Sequence, residues 1–266
     1  MISTYGWIRR KVRSLLIRAL NKIDNNDNAD FAVNGEGLFA ERLLDRFRGR
    51  DVSPVVVFDV GANAGHYSQM LLDGARDRKV AIELHAFEPA AKCVEALRLR
   101  FASDPRVHVV PAAASAANQS ASLYFDEPGS GLASMYRRDL SAYSMELGRS
   151  ETIQTIRLDQ YIDDHGVQHI HFLKLDVEGH EVAVLEGLGR YLDPEFTDFV
   201  QFEYGGANLD SNTTLRQLFA AFTSKGYRVG KIMRNGLDLR DYEVWMDNYQ
   251  YSNYVAVSGR IAGALS

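Results

Sequence analysis

Acidic residues close four apolar runs of this chain, and acids there can bind a cation, accept hydrogen bonds or take a proton. Asp59 ends the run Val55–Phe58, and Glu88 ends Val80–Phe87. Asp176 and Glu178 follow Ile170–Leu175, and Glu203 and Tyr204 follow Phe196–Phe202. Continuous, β-branched runs of this length read as strands buried on both faces of a parallel sheet. Ligands of such sheets sit beyond the carboxyl ends of the strands, so the four groups converge on one crevice.

The first of these strand ends is the most informative. After Asp59 come Gly61, Asn63 and Gly65, residue types that permit a tight turn, and from His66 the apolar spacing is helical (Tyr67, Met70, Leu71, Ala75). Strand, glycine turn and helix N-terminus together make a nucleotide cradle. A dinucleotide site would read G-x-G-x-x-G, whereas this turn reads Gly61-Ala62-Asn63-Ala64-Gly65. Asn63 replaces the glycine that lets a pyrophosphate approach, and Asp59 would repel one. An acid there suits a cation instead, the α-ammonium of S-adenosylmethionine. Glu88 is placed to accept hydrogen bonds from both ribose hydroxyls, and the small side chains of Pro111–Ser115 would let a flat ring lie against backbone. The cofactor set read here is Asp59, Gly61, Asn63, Gly65, Tyr67, Glu88, Pro89, Ala113 and Asp176.

Methyl transfer from a sulfonium needs an in-line nucleophile about 3 Å from the methyl carbon. A hydroxyl nucleophile needs a base, a metal, or both. The catalytic candidates are His180, Asp176 and Glu203. His180 could act as base, or it could merely cap its helix or face solvent. Asp176, Glu178 and Glu203 could hold Mg²⁺ as oxygen ligands, or the first two could bind backbone N–H groups and shape their turn. Glu203 or Glu178 as a direct base is a third reading. His169 and His171 share a face of their strand but lie at its N-terminal end, which points to a structural role. Lys174, inside a buried strand, should pair with Asp59 or Asp176. Tyr249, Tyr251 and Tyr254 could stack on an acceptor or simply pack. Cys93 lies in a helical pattern and reads as an inert packed thiol.

These residues need a scaffold, and the pattern supplies one. With 266 residues, 46% of them hydrophobic, the chain can bury one large core. A net charge of −5 gives no global attraction to nucleic acid, and a single cysteine excludes an internal disulfide. No run approaches the ~18–20 apolar residues of a membrane span, and no signal-peptide pattern is visible, so a cytoplasmic protein is expected. Residues 1–23 carry Arg9, Arg10, Lys11, Arg13, Arg18 and Lys22 with no acid before Asp24. Ile8, Val12, Leu15, Leu16, Ala19, Leu20 and Ile23 recur among them at helical spacing, after Tyr5 and Trp7. This basic amphipathic helix could lie on an anionic membrane or pack on the main domain or a second subunit. Asp24–Asp30 has the composition of a solvated linker, so residues 1–30 stand ahead of a single domain over 31–266. A second helix is expected from about Gly35 to Arg48, with Asn34 as N-cap. Residues 118–157 interrupt the α/β rhythm and read as a substrate-side insertion. The remaining order predicts an open, twisted, mostly parallel seven-stranded sheet with helices on both faces.

The blocks Phe58–Ser68 (FDVGANAGHYS), His85–Ala90 (HAFEPA) and Phe172–Leu188 (FLKLDVEGHEVAVLEGL) resemble those of the FkbM family of methyltransferases, in consistent order from Phe58 to Tyr204. Pro111–Ala116 departs from the family pattern. The resemblance implies a Rossmann-like class I methyltransferase using S-adenosylmethionine. It also implies O-methylation of a small-molecule or glycan hydroxyl, on a sugar, polyketide or other secondary metabolite. The rival readings are N-methylation of an amine and a non-catalytic S-adenosylmethionine-binding module.

Overall fold

The structure, a computed structural model, describes residues 6–49 and 54–262. Tyr5 lies outside the described residues. Two helices come first, α1 (Trp7–Ile23) and α2 (Glu36–Asp45). The first half of the sheet follows as β1 (Val55–Val60), α3 (His66–Arg78), β2 (Ile82–Phe87), α4 (Ala91–Arg100) and β3 (Val107–Val110). Next come β4 (Ala113–Ala114), just ahead of the interruption, and within it β5 (Gln119–Phe125) and β6 (Arg149–Ile156). The second half runs α5 (Leu158–His165), β7 (Ile170–Leu175), α6 (Glu181–Leu188), β8 (Thr197–Tyr204), α7 (Gly206–Asp210) and α8 (Leu215–Thr223). It closes with β9 (Tyr227–Met233), β10 (Gly236–Leu239), β11 (Ser252–Ser258) and α9 (Gly259–Ala262).

The main sheet has the order β10-β9-β11-β8-β7-β1-β2-β3. Strands β8, β7, β1, β2 and β3 pair in parallel, while β11, β9 and β10 pair antiparallel. The sheet has eight strands rather than the expected seven. The extra one, β10, is the return arm of a hairpin in which Gly236 pairs with Met233 across Arg234 and Asn235. It is short, and its apolar alternation is too brief to register as a strand.

Alternation along each central strand splits the core into two layers. Phe58, Leu173, Val200 and Phe202 face one side with Leu188 and Leu218. Val57, Phe172, Phe199 and Val255 face the other with Leu44 and Leu71. From β1 the chain winds one way to β2 and β3, then returns on the other side of β1 as β7 and β8. That reversal places a crevice at the carboxyl ends of β1 and β7. The interruption folds as its own small sheet, with β6 antiparallel to β5 and parallel to β4.

The segment after α1 departs from the expected solvated linker. Asn25 and Asn26 are buried, and Asn25 Nδ2 donates to the carbonyls of Asn34 at 2.6 Å and Ile232 at 3.0 Å. Lys231, also buried, contacts Asp24 at 3.7 Å and hydrogen-bonds Asn26. Its polarity serves a buried lysine, which composition alone could not reveal. Helix α1 itself buries no residue: Ile8, Leu15, Leu16 and Ile23 are each more than 60% exposed, so its apolar stripe does not pack on the main domain. Among the described residues no helix is long and apolar enough to cross a membrane.

Candidate active site

Strand β1 delivers Asp59 to the crevice, and the turn that follows is forced by a close approach. Gly61 has φ +84°, and a Cβ on it would stand 1.8 Å from the carbonyl oxygen of Asp176. No other residue fits where the β1 and β7 ends meet. Asn63, at φ +48°, takes the left-handed conformation that asparagine tolerates, and its Oδ1 accepts from the backbone N–H of Ala64 at 2.6 Å. Gly65, at φ +79°, packs beneath the turn against Leu97 and Phe101.

A cavity opens above this turn. It is lined by Gly61, Asn63, Glu88, Pro89, Ala113 and Asp176 from the expected cofactor set, with Glu178 and His180 at one end. Asp59, Gly65 and Tyr67 do not line it. Asp59 is fully buried, accepting from Ser68 Oγ at 2.6 Å with Lys174 Nζ at 3.9 Å, while its Oδ1 has no hydrogen-bond partner. Burial raises its pKa above the usual carboxylate value. Tyr67 is buried one step further back, its hydroxyl donating to Gln201 at 2.9 Å and its ring 4.8 Å from Lys174 Nζ. Glu88 accepts the backbone N–H of Asn63 and of Ala90, each at 2.8 Å, and burial pushes its pKa up to about 7. Two backbone bonds leave about two of its lone-pair positions free. Phe87, Leu123 and Met135 give the cavity an apolar wall that the sequence did not single out. Two of these three come from the interruption or the strand after β4, so only the fold brings them together.

At the β7 and β8 ends, one ligand oxygen from each of Asp176, Glu178 and Glu203 lies within 4.8 Å of the others. Lys174 Nζ donates to Asp176 at 2.7 Å, and Arg138 to Glu178 at 2.5 Å, with Asp210 3.6 Å from the same guanidinium. Burial raises Asp176, but Lys174 outweighs it and holds the carboxyl below its usual range. Glu203, whose carboxylate oxygen lies within 4.8 Å of that of Asp176, is raised well above its usual value by burial and by the neighbouring anion. Glu178 is pushed up to about 8 by burial. Lys174 thus satisfies both pairings expected of it. Lys174 and Arg138 already ion-pair with Asp176 and Glu178, so a cation at this trio would compete with resident side chains.

His180 touches the cavity, but both ring nitrogens are engaged. Ser115 Oγ lies 2.9 Å from Nε2 and the Tyr136 hydroxyl 3.0 Å from Nδ1, and burial lowers the pKa to about 4. The contacts with Tyr136 and Arg138 belong to a larger pattern. Ser134, Tyr136 and Arg138 recur at every second residue of the interruption and meet Glu178 O, His180 and the Glu178 carboxylate. An irregular segment is thereby latched along the Asp176–His180 turn, a long-range contact that no local pattern announces. Behind the cavity, Glu36 of α2 accepts from Gln201 at 2.6 Å and from Asn253 at 3.1 Å, which the sequence also left unread.

The remaining candidates divide cleanly. His171 Nδ1 accepts the backbone N–H of Val56 at 3.0 Å, and His169 lies 3.0 Å from Asp198, both at the far edge of the sheet. Tyr254 is buried on Phe202, and Tyr249 lies against Tyr204, whereas Tyr251 is partly buried near Glu203 and Glu36. Cys93 is buried and its thiol is pushed up to about 11.

The sequence matches the family described as "Methyltransferase FkbM domain" over residues 59–229. No curated protein matches the chain. Among solved structures, the methyltransferase FkbM from Methylobacillus flagellatus KT is similar at 14% identity, with a TM-score of 0.47 over 95% of this chain and 71% of that one. A SAM-dependent methyltransferase from Agrobacterium tumefaciens aligns at 8% identity and a TM-score of 0.45, over 84% of this chain and 61% of that one. A Streptococcus mutans chain in complex with SAH aligns at 8% identity and a TM-score of 0.45, over 83% of this chain and 96% of that one.

Proposed function

Because the chain belongs to the FkbM methyltransferase family, we propose that it methylates a hydroxyl of a sugar, glycan or secondary metabolite with S-adenosylmethionine. The observation that carries the hydroxyl reading is the close Asp176–Glu203 pair, of which Asp176 lines the cavity.

The residues present fit the cofactor. Glu88 retains acceptor positions for two ribose hydroxyls, the Phe87, Leu123 and Met135 wall suits a flat base, and Asp59 Oδ1 is a buried carboxylate oxygen without a hydrogen-bond partner, 3.9 Å from Lys174 Nζ. When bound, the cofactor supplies an electrophilic methyl group. Asp59 acts from beneath the turn, its carboxyl shared with Lys174, and favours a cation above it rather than serving as a direct ligand. Glu88 orients the ribose.

Glu203 is the base in this reading. In the resting pair its proton is held against the Asp176 anion, which Lys174 fixes in place. Once that proton has left, a carboxylate of raised pKa is a stronger base toward a hydroxyl than an ordinary one. An amine acceptor fares worse beside the same carboxyls, because their negative charge holds it as an ammonium without a lone pair. His180 is a positioning residue that ties Ser115 and Tyr136 to the turn. The cation reading of Asp176, Glu178 and Glu203 would require Lys174 and Arg138 to give up their partners.

A separate observation favours a peripheral contact with an anionic lipid surface through α1. The helix exposes its whole apolar stripe and carries only basic charged residues. Two copies packing stripe to stripe would bring these cations together, whereas anionic lipid neutralises them.

Calorimetric titration with S-adenosylhomocysteine and with NAD tests the cofactor assignment. Binding of the first alone is expected, and binding of NAD alone would overturn it.

A further inference from the structure

Glu83 and His85 alternate along β2 and so project from one face, and His85 is in register with His108 on the edge strand β3. Glu83 Oε1 lies 3.1 Å from His108 Nε2 and 3.5 Å from His85 Nε2, and all three atoms lie within 4.8 Å of one another. With metal–ligand bonds of ~2.0–2.1 Å in a tetrahedral site, neighbouring ligand atoms stand roughly 3.3–3.5 Å apart. Two of the separations therefore already suit ligands around one ion.

His85 supplies the second observation. It is only 3% exposed, yet its Nε2 makes no hydrogen bond, Glu83 Oε1 standing 3.5 Å away. A buried ring nitrogen without a partner is costly and calls for one. The other nitrogen, Nδ1, lies 2.9 Å from the Tyr161 hydroxyl, which fixes the ring as outer partners fix metal-binding histidines. Burial pushes its pKa down to about 3, so the ring is neutral, the form that ligates metals. Unlike the Asp176 cluster, no lysine or arginine is paired with Glu83 here among the described residues. Glu83 and His108 are partly open to solvent, and Glu83 and His85 border a cleft of ≈ 600 Å³, roomy enough to admit a hydrated ion.

We propose that Glu83, His85 and His108 form a binding site for a divalent transition-metal ion of the zinc type. Two imidazoles and one carboxylate select such an ion over Mg²⁺, and three protein ligands leave a fourth position for water. His85 lies three residues, roughly 10 Å, before Glu88, which follows the end of the same strand, so the ion sits apart from the cofactor contacts. Its effect is to clip the edge strand β3 to β2.

The test uses the full chain without an added histidine tag, stripped with chelator and titrated with ZnCl₂ and separately with MgCl₂. One equivalent of zinc should bind and raise the melting temperature, with no response to magnesium. Glu83→Gln and His108→Gln, both at partly exposed positions, should each weaken zinc binding at least about tenfold while leaving the far-ultraviolet spectrum and S-adenosylhomocysteine binding unchanged. Absence of saturable zinc binding overturns the proposal. So does wild-type zinc affinity in both variants, which would put the ion at other groups.

Discussion

Asp176 and Glu203 lie at the carboxyl ends of neighbouring parallel strands, with Asp176 held below the usual carboxylate range and Glu203 raised well above it. Lys174 sets that asymmetry, since it bonds Asp176 at 2.7 Å, while burial and the Asp176 anion raise Glu203. A folded-state pKa raised above the unfolded value stabilises fully at pH below the unfolded value, and that stabilisation fades as pH rises toward the folded value.

Glu203→Gln should therefore change stability in a pH-dependent way. Relative to wild type, the variant should gain stability as pH rises above the usual glutamate range, by up to about 1.4 kcal/mol per pH unit. Urea unfolding at pH 5 and pH 8 measures this. A wild-type–variant difference that is the same at both pH values would remove the retained proton from the account.

The cofactor contacts predict a graded loss. Glu88→Gln should weaken S-adenosylhomocysteine binding by about 1.5–3 kcal/mol, the range of a charge-assisted hydrogen bond. Asp59→Asn should weaken it less, because Asp59 lies beneath the cavity rather than in its wall. Titration calorimetry of both variants checks the order. Equal affinities in wild type and Glu88→Gln would misplace the ribose.

The latch between the interruption and the turn has its own energetics. Arg138 and Glu178 are both largely buried, so Arg138→Ala should cost about 3 kcal/mol or more by leaving Glu178 unpaired. Arg138→Ala with Glu178→Ala should recover part of that loss, which a double-mutant cycle in urea reads directly. Full additivity of the two changes would show that the pair is not coupled.

Removal of residues 1–23 should abolish flotation with vesicles rich in phosphatidylserine and leave S-adenosylhomocysteine binding intact. Raised salt should weaken flotation of the full chain, because the attraction is partly electrostatic. Unchanged flotation after the deletion would place membrane contact elsewhere, and no flotation of the full chain would remove it.

What could be read from the sequence was local. The strand core Val55–Phe58, the Gly61–Gly65 turn, Glu88 at its strand end and the Asp176–His180 turn were legible because apolar runs and turn residues declare themselves within a few positions. The pairing of Lys174 was legible because a buried cation demands a carboxylate. The contacts that complete the site join distant segments: Tyr136 to His180, Arg138 to Glu178, and Glu36 to Gln201. Strand β10 was too short to show, and Asp24–Asp30 looked like linker because its polar side chains serve Lys231, far along the chain. His85 and His108 became a pair only once β2 and β3 were in register.

The central claim is that the Asp176–Glu203 pair deprotonates a hydroxyl acceptor beside the cofactor. It is tested by incubating the chain with methyl-labelled S-adenosylmethionine and matched hydroxyl and amine acceptors, and identifying the methylated atom by mass spectrometry across a pH series. The account predicts an O-methyl product, formed faster as pH rises and Glu203 loses its proton. In Glu203→Gln the rate should fall by about 10²–10⁴-fold, with S-adenosylhomocysteine affinity unchanged. An N-methyl product, or a Glu203→Gln rate matching wild type, would contradict it.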